Sequence, residues 1–348
     1  MEDPEKIISE QSINTADPLI GRVFDEKFRI EEKLDAGGMG VVYRATDLQE
    51  EKRVALKVLT QKLSASKKTE ELFWQEAQTA SMVEHPNVVH AIDLGITEDD
   101  YAYLVMDFLE GQTLREVIAH DAPLDLTRAI VLILQAAEGV GALHNAGIIH
   151  RDLKPTNIFI TRPLNAPSVV KVLDFSLAKL LPQDEEGNTF GFTSGKMRGT
   201  PRYMSPEQCE GQEITMASDV YSLGVILFEM LTKTTPFNGE NKKEIAMKQS
   251  MEHPPSMREY NPNIPTEIDE FVVRVLSKDA ENRPGDADKF RIELKEIAER
   301  LGYMPMNKLE SLSVEKLLEA GRASPSGSLV IDAETLRLLQ TGGFTKKQ

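Results

Sequence analysis

The sequence predicts an α+β fold of two lobes, a small β-rich lobe followed by a larger, mostly helical one. The chain has 348 residues, which is more than a single compact core usually holds. Its first part shows short β-branched runs separated by turns, whereas the later part shows apolar residues at helical spacing. We expect a flexible arm over residues 1–27, a folded domain over 28–301, divided into lobes at 28–107 and 108–301, and a tail with short helical segments over 302–348.

Five strands and one helix are predicted for the small lobe. The runs FRIEEKL, GVVYRATDL and RVALKVL, which begin at Phe28, Gly40 and Arg53, have the alternation of an antiparallel meander. Helical spacing follows over 69–83, and two further strand-like runs cover 90–94 and 101–108.

The second lobe is predicted to be helical around a long irregular stretch. Residues 148–208 are rich in Gly, Pro, Asn, Ser and Thr, and loops of that length inside a compact domain are usually functional. Beyond residue 301, short amphipathic segments are predicted at 312–320 and 333–339. The predicted helices of the lobe itself are 114–119, 126–146, 218–232, 242–251 and 268–277.

Composition narrows the class of protein. The net charge of −16 argues against nucleic acid or anionic lipid as a non-specific partner. The single cysteine, Cys209, cannot form an internal disulfide, which suits a reducing compartment. The first residues are acidic, unlike a secretory signal, and no run approaches the roughly 18 apolar residues that span a bilayer. We therefore expect a cytoplasmic protein with no membrane span.

A glycine-rich loop follows the first predicted strand. The run LDAGGMGVVY begins at Leu34 and places glycines at Gly37, Gly38 and Gly40. Glycine allows close approach of the backbone to a phosphate, but it also forms ordinary turns, so the loop alone leaves both uses open. Because GVVYRAT alternates, the loop joins two strands, whereas a dinucleotide-binding loop leads into a helix. A Rossmann site is thereby excluded.

A lysine interrupts the apolar run that follows. Lys57 ends the segment VALK, and a strand lysine usually points to solvent. If Lys57 instead lies beneath the glycine loop, its ammonium group needs an anion. Glu76 on the predicted helix would supply a carboxylate, and a bound nucleotide would supply phosphates.

Three motifs occur in a fixed order after these features. HRDLKPTN covers 150–157, DFS covers 174–176, and GTPRYMSPEQ covers 199–208. With them, the chain resembles the eukaryotic-type protein kinases, and in particular the bacterial Ser/Thr kinases, over about 28–301. The resemblance implies the bilobal kinase fold, transfer of the ATP γ-phosphoryl group to Ser and Thr hydroxyls of proteins, and autophosphorylation.

The resemblance implies catalytic roles for four residues. Asp152 would accept the proton of the substrate hydroxyl, and Lys154, typical of Ser/Thr-specific members, would contact the transferring phosphate. Asn157 and Asp174 would hold Mg²⁺, with Mn²⁺ as the alternative ion. ATP and protein substrates are thus the implied partners, together with a kinase dimer for autophosphorylation in trans.

The resemblance also implies a nucleotide-binding set. The glycine loop would cover the phosphates, a paired Lys57 and Glu76 would fix the α and β phosphates, and backbone at 106–109 would bind adenine. Apolar side chains above and below the ring would equally suit an ordinary core. The implied cofactor-binding residues are Leu34, Gly37, Gly38, Gly40, Val42, Ala55, Lys57, Glu76, Met106, Asp107, Leu109, Phe159 and Asp174.

Residues 177–207 would form the activation segment. Arg151 precedes the catalytic aspartate, and its positive charge would be satisfied by a phosphate added to this segment. Thr193 is favoured over Thr189 and Ser194 as the acceptor. Autophosphorylation is therefore predicted to control activity.

Two structural roles are predicted in the helical lobe. Glu207 of the SPE run is expected to pair with Arg283 of ENRP. Asp219, on the helix predicted at 218–232, is likewise expected to be structural.

Three positions depart from the family pattern. Asp35 replaces the first loop glycine, Ser176 replaces the glycine of Asp-Phe-Gly, and Ser205 replaces the alanine of Ala-Pro-Glu. They motivate the alternative of a pseudokinase that acts as a nucleotide-gated signalling scaffold. No catalytic or metal-binding group is lost, which favours an active enzyme. A small-molecule kinase is a further alternative, and the run GTPRYMSPEQ argues against it.

Overall fold

The structure is a computed structural model, and its described residues are 17–37, 40–59, 83–162, 168–173 and 201–303. They separate into two units, each with its own contacts. The first comprises the described residues up to 59 together with 92–108, and the second comprises 83–91 and everything described from 109 onward. The predicted helix at 69–83, apart from its last residue, and both predicted tail segments lie outside the described residues.

The first unit is built on a six-stranded sheet. Its order is β1-β2-β3-β4-β6-β5, and β1 to β4 form an antiparallel meander that β6 extends in the antiparallel sense. The five strands predicted from alternation are all present. The strands are β1 (Val23–Phe24), β2 (Phe28–Gly37), β3 (Gly40–Asp47), β4 (Lys52–Leu59), β5 (Ala91–Ile96) and β6 (Ala102–Asp107).

Strand alternation gives this sheet two chemically different faces. Successive side chains of a strand point to opposite faces, so every second residue enters the same core. The core face is formed by Tyr43 and Ala45 of β3, Val54, Leu56 and Val58 of β4, and Tyr103 and Val105 of β6. The intervening residues, among them Val42, Ala55 and Lys57, lie on the opposite face.

The segment at 17–27 is part of this unit. Leu19 and Phe24 are buried in its core, and the Tyr43 hydroxyl donates to the Asp17 carboxylate. Burial and the carboxylate together raise the pKa of Tyr43 to about 12. The expectation of a flexible arm reaching residue 27 is therefore wrong for 17–27, because the apolar side chains of Leu19 and Phe24 anchor this segment in the core.

The second unit contains the helices and a small sheet. β7 (Gly111–Thr113), β8 (Ile158–Thr161) and β9 (Val170–Val172) pair antiparallel in that order. The helices are α1 (Leu114–Asp121), α2 (Leu126–Asn145), α3 (Pro206–Glu210), α4 (Met216–Thr232), α5 (Lys242–Met251), α6 (Thr266–Val275) and α7 (Ala287–Arg300). The five predicted helices are present, whereas α3, α7 and the short strands were not predicted.

Residues 83–91 also belong to the second unit. The Val89 N–H donates to the Val172 carbonyl at 3.0 Å, and the Val172 N–H donates to the Asn87 carbonyl at 2.8 Å. The assignment of all of 28–107 to the small lobe is therefore wrong for this segment.

Helix α2 is the central helix of this unit and packs against α4 and α7. Within the described part of the chain, it is the one helix long and apolar enough to cross a membrane by length and composition. Of its most apolar window, 72% is buried inside the protein, as is usual for a core helix.

The predicted pair of Glu207 and Arg283 is confirmed. The guanidinium group donates to both carboxylate oxygens at 2.8 and 2.9 Å, and the side chains are 9% and 0% exposed. Burial raises the pKa of Glu207, but the hydrogen bonds and charge of Arg283 outweigh it, so the pKa lies below its ordinary value. The pair fixes α3 to the segment before α7.

Candidate active site

Four of the predicted nucleotide-binding residues share one face of the first sheet. Val42 of β3 lies opposite Lys57 of β4, and Ala55 of β4 lies opposite Met106 of β6. Ala55 and Met106 are buried, and Val42 and Lys57 are partly buried. A cation therefore lies beside apolar side chains on the face away from the core of this unit.

The predicted glycine loop connects β2 to β3. Gly37 and Gly40 are paired across the connection, and Leu34 precedes them as an exposed residue of β2. A Cβ atom at Gly40 would stand 2.5 Å from the carbonyl oxygen of Val58. Position 40 therefore requires glycine for the close approach of β3 and β4. Gly38 lies outside the described residues.

Asp35, which replaces a family glycine, is an exposed residue of β2. Its Oδ1 accepts the N–H of Ala36 at 2.8 Å. The Asp35 carboxylate thus binds the backbone of the next residue. In the sheet, Asp35 lies opposite Val42 of β3.

In the second unit, the three predicted catalytic residues come together in one loop. Lys154 Nζ lies 2.8 Å from Asp152 Oδ2, and the two side chains are 26% and 16% exposed. The Asn157 amide donates to the Asp152 carbonyl at 2.9 Å and approaches Asp152 Oδ2 at 3.4 Å. Asn157 ends the short 3₁₀ turn Pro155–Asn157, and buried Leu153 anchors the loop.

His150 joins this loop to the end of β9. Its Nδ1 accepts the N–H of Asp152 at 3.3 Å, so the ring proton is on Nε2, which donates to the Leu173 carbonyl at 2.8 Å. The Leu173 N–H in turn donates to the Asn157 carbonyl at 2.8 Å. The residue that precedes Asp174 is thereby held next to Asn157.

Asp219 on α4 fixes the backbone that precedes Asp152. Its carboxylate accepts the N–H groups of His150 at 2.7 Å and Arg151 at 2.8 Å, and it is almost fully buried. Burial raises the pKa of Asp219, but these donors and His144 outweigh it and hold the pKa below its ordinary value. Asp219 is therefore the acceptor that sets the loop conformation, in agreement with its predicted structural role.

His144 on α2 extends this network to α7. Its Nδ1 accepts the N–H of Ala287 at 3.2 Å, which leaves Nε2 to donate to Asp219 Oδ2 at 3.0 Å. Three hydrogen bonds in series, through His144 and Asp219, therefore connect the first residue of α7 to the backbone N–H of His150.

The structure locates the remaining predicted residues separately. Asp107 ends β6 in the first unit, whereas Leu109 and Phe159 belong to the second, where Phe159 pairs with Lys171 and Thr113. Glu76, Asp174 and Ser176 lie outside the described residues, as do Thr189, Thr193, Ser194 and Thr200. The roles given to all of these residues stay predictions.

The chemistry of Asn157 suits a hard divalent cation. Its side-chain nitrogen donates to the Asp152 carbonyl, so its side-chain oxygen points away from that carbonyl. Thr156 Oγ1 lies 3.4 Å from this oxygen. Oxygen is the ligand that Mg²⁺ prefers. No cluster of three or more His, Cys, Asp or Glu side chains suited to a metal occurs among the residues that the structure describes.

Two features of the site were missed in the sequence. Gln208 is buried, and its Nε2 donates to the carbonyl of Arg151 at 2.8 Å. The signal for it was the serine three residues earlier, because Ser-x-x-Gln is a capping-box pattern. Helix α7 was also missed, although Ala287, Phe290, Leu294 and Ala298 are buried at helical spacing.

A glycine-rich connection between antiparallel strands, and a separate loop that carries Asp152, Lys154 and Asn157, are the features expected of a protein kinase. The sequence pattern of the protein kinase domain matches residues 28–294. The chain belongs to the protein kinase family.

The similar proteins include bacterial Ser/Thr kinases. Serine/threonine-protein kinase pkn3 of Myxococcus xanthus is 35% identical over 91% of this chain and 59% of its own length. PrkC of Bacillus subtilis is 35% identical over 80% of this chain and 41% of its own. The chain thus spans about half the length of these curated relatives. The predicted resemblance to bacterial Ser/Thr kinases is confirmed.

The fold is shared with a solved kinase domain. The crystal structure of the Mycobacterium tuberculosis PknI kinase domain, in its C20A_R136A form, superposes with a TM-score of 0.63 at 21% identity, covering 80% of this chain and 98% of that one. The predicted α+β kinase fold is confirmed.

Proposed function

We propose that this protein is an ATP-dependent kinase that phosphorylates Ser and Thr residues of proteins, itself included. The observation that carries the proposal is the contact of Lys154 Nζ with Asp152 Oδ2 at 2.8 Å, beside Asn157 in the same loop. Family members use ATP and a divalent metal ion. The relatives described as Ser/Thr kinases support the choice of acceptor hydroxyl.

The proposed reaction is a direct transfer. The acceptor hydroxyl oxygen bonds to the γ-phosphorus of ATP, the bond from that phosphorus to its bridging oxygen breaks, and ADP leaves. The hydroxyl proton passes to the Asp152 carboxylate, and the Lys154 ammonium brings positive charge to the phosphoryl oxygens. The protein contributes positioning and charge, because phosphoryl transfer needs little covalent help.

Binding of the nucleotide and metal is assigned to groups from the whole domain. Lys57, paired with Glu76, would bind the α and β phosphates, and backbone at 106–109 would bind adenine. Mg²⁺, with Mn²⁺ as the alternative, would be held by Asn157 Oδ1 and Asp174, where it neutralises phosphate charge.

Partners and location follow from this chemistry. Protein substrates and ATP are the proposed partners, with a transient dimer for autophosphorylation in trans. A net charge of −16 disfavours non-specific binding to nucleic acid. We place the kinase domain in the cytoplasm, because ATP is available there and because the single cysteine, Cys209, is a free, buried thiol that suits a reducing compartment.

The test is transfer from labelled ATP by the purified protein with Mg²⁺. We expect label on Ser and Thr of the protein and of a generic substrate protein. Asp152→Asn should lower kcat about 10²- to 10⁴-fold, because it removes the proton acceptor. Asp100→Asn is the matched control: the same chemical change at an exposed turn should leave kcat at the wild-type level.

Two outcomes would contradict the proposal. Nucleotide binding without any transfer would favour the pseudokinase alternative. Label that survives Asp152→Asn at full level would show that the transfer does not come from this site.

A further inference from the structure

Gln208 on α3 reaches the backbone of the catalytic loop. The residue is 4% exposed, and its Nε2 donates to the carbonyl oxygen of Arg151 at 2.8 Å. That carbonyl belongs to the peptide unit that joins Arg151 to Asp152. Gln208 thus contacts the chain one peptide from the proposed proton acceptor.

This peptide unit is held at both of its polar atoms. Gln208 binds its oxygen, and its N–H, which belongs to Asp152, donates to His150 Nδ1 at 3.3 Å. Arg151 itself has φ of 65°, the left-handed region that non-glycine residues rarely adopt. Such a conformation persists only where the surroundings impose it. Asp219 stabilises this conformation by accepting the Arg151 N–H, and Gln208 stabilises it by donating to the Arg151 carbonyl.

The Gln208 amide has one orientation that satisfies its neighbours. Its Oε1 accepts the N–H of Ser205 at 3.0 Å, so Nε2 must face Arg151. The reverse orientation would set oxygen against the Arg151 carbonyl and NH₂ against the Ser205 N–H. A capping box accepts either Gln or Glu at this position, whereas the contact with Arg151 requires a donor and therefore Gln.

We propose that Gln208 is a positioning residue for Asp152. By holding the Arg151 carbonyl, it keeps the left-handed turn closed and orients the Asp152 carboxylate toward the acceptor hydroxyl. It also links α3, in which the predicted activation segment ends, to the catalytic loop. The inference rests on the proposed kinase function.

The decisive variant is Gln208→Glu in the full chain. It keeps the acceptor for the Ser205 N–H but presents an oxygen to the Arg151 carbonyl. We expect kcat to fall about tenfold to a hundredfold, as for a displaced catalytic group, with KM for ATP and for peptide unchanged within about twofold. Gln208→Met removes the donor without burying a charge, and it should lower kcat in the same way if Gln208→Glu fails to fold.

Ser205→Ala is the control. It removes the capping hydroxyl of the same helix but leaves both contacts of the Gln208 amide with backbone, so it should lower the melting temperature and retain wild-type kcat. Retention of kcat by both Gln208 variants would overturn the positioning role and leave the kinase function standing. Equal loss of kcat in Ser205→Ala, at equal loss of melting temperature, would overturn it also. No transfer by the wild-type protein would overturn the proposed function and this inference with it.

Discussion

Replacing Arg283 by Met tests how much its buried pair with Glu207 stabilises the second unit. The guanidinium group makes two hydrogen bonds to Glu207, at 2.8 and 2.9 Å. It also donates to the carbonyls of Ala217 at 3.1 Å, Ser277 at 2.8 Å and Lys278 at 2.9 Å. Arg283→Met fills much of the volume but leaves a buried carboxylate and three carbonyls without these donors.

The expected cost is large because the remaining groups are buried. Breaking one side of a buried ion pair costs about 3–5 kcal/mol. At about 2–4 °C per kcal/mol for a domain of this size, the melting temperature should fall by roughly 6–20 °C. Replacing both Glu207 and Arg283 by Met should recover part of this loss, since no buried charge then remains.

The unfolding free energy lost in Arg283→Met should also depend on pH. The folded-state pKa of Glu207 lies below its ordinary value of 4.5, so pairing adds stability above that value, and this stability is lost as pH falls through the folded pKa. Arg283→Met removes this contribution. The difference in unfolding free energy between wild type and variant should therefore be largest near neutrality and shrink in acid.

The assay is urea and thermal unfolding followed by circular dichroism. Arg274→Met is the matched control, because Arg274 pairs with Glu293 at the surface with 43% and 38% exposure. That variant should change the unfolding free energy by less than about 1 kcal/mol. An equally small change in Arg283→Met, or a change independent of pH, would refute the assigned role of the buried pair.

Three further changes test the sheet and the catalytic loop. Gly40→Ala places a Cβ against the Val58 carbonyl and should cost about 1–3 kcal/mol and raise KM for ATP, measured by unfolding and by steady-state kinetics. Phe24→Ala should cost about 3–5 kcal/mol in urea unfolding, and a cost within about 0.5 kcal/mol would show that 17–27 is a loose arm after all. Asp219→Asn turns an NH₂ group toward the backbone N–H donors of His150 and Arg151, so kcat should fall at least about tenfold although Asp152 is unchanged. An unchanged kcat would contradict the role of Asp219 in setting the loop conformation.

The elements that could be predicted are those with a strong period. The first sheet alternates cleanly because one of its faces is buried, and α2 and α4 are long apolar helices with clear repeats. Segment 17–27 could not be predicted in this way, because its two short apolar pairs, Leu19–Ile20 and Val23–Phe24, form no repeat and the burial of Leu19 and Phe24 depends on the distant Tyr43 and Tyr103. Helix α7 was not predicted because its many charged residues, which lie on its exposed face, hide the helical spacing of its few apolar residues.

The candidate site was predictable where motifs are local. Asp152, Lys154 and Asn157 lie within one short run, and the structure brings their side chains together. The contact of Gln208 with Arg151 joins residues 57 positions apart through a backbone atom, and backbone atoms leave no pattern in a sequence. The same is true of the bond from Ala287 to His144.

The bond between His144 and the first residue of α7 bears on how far the chain can be shortened without disturbing the loop at 150–157. A protein trimmed before residue 286 would lose the donor that orients the imidazole, and with it one of the supports of Asp219. Shortened versions prepared for crystallisation or inhibitor screening should therefore retain all of α7, even though no residue of that helix belongs to the catalytic loop.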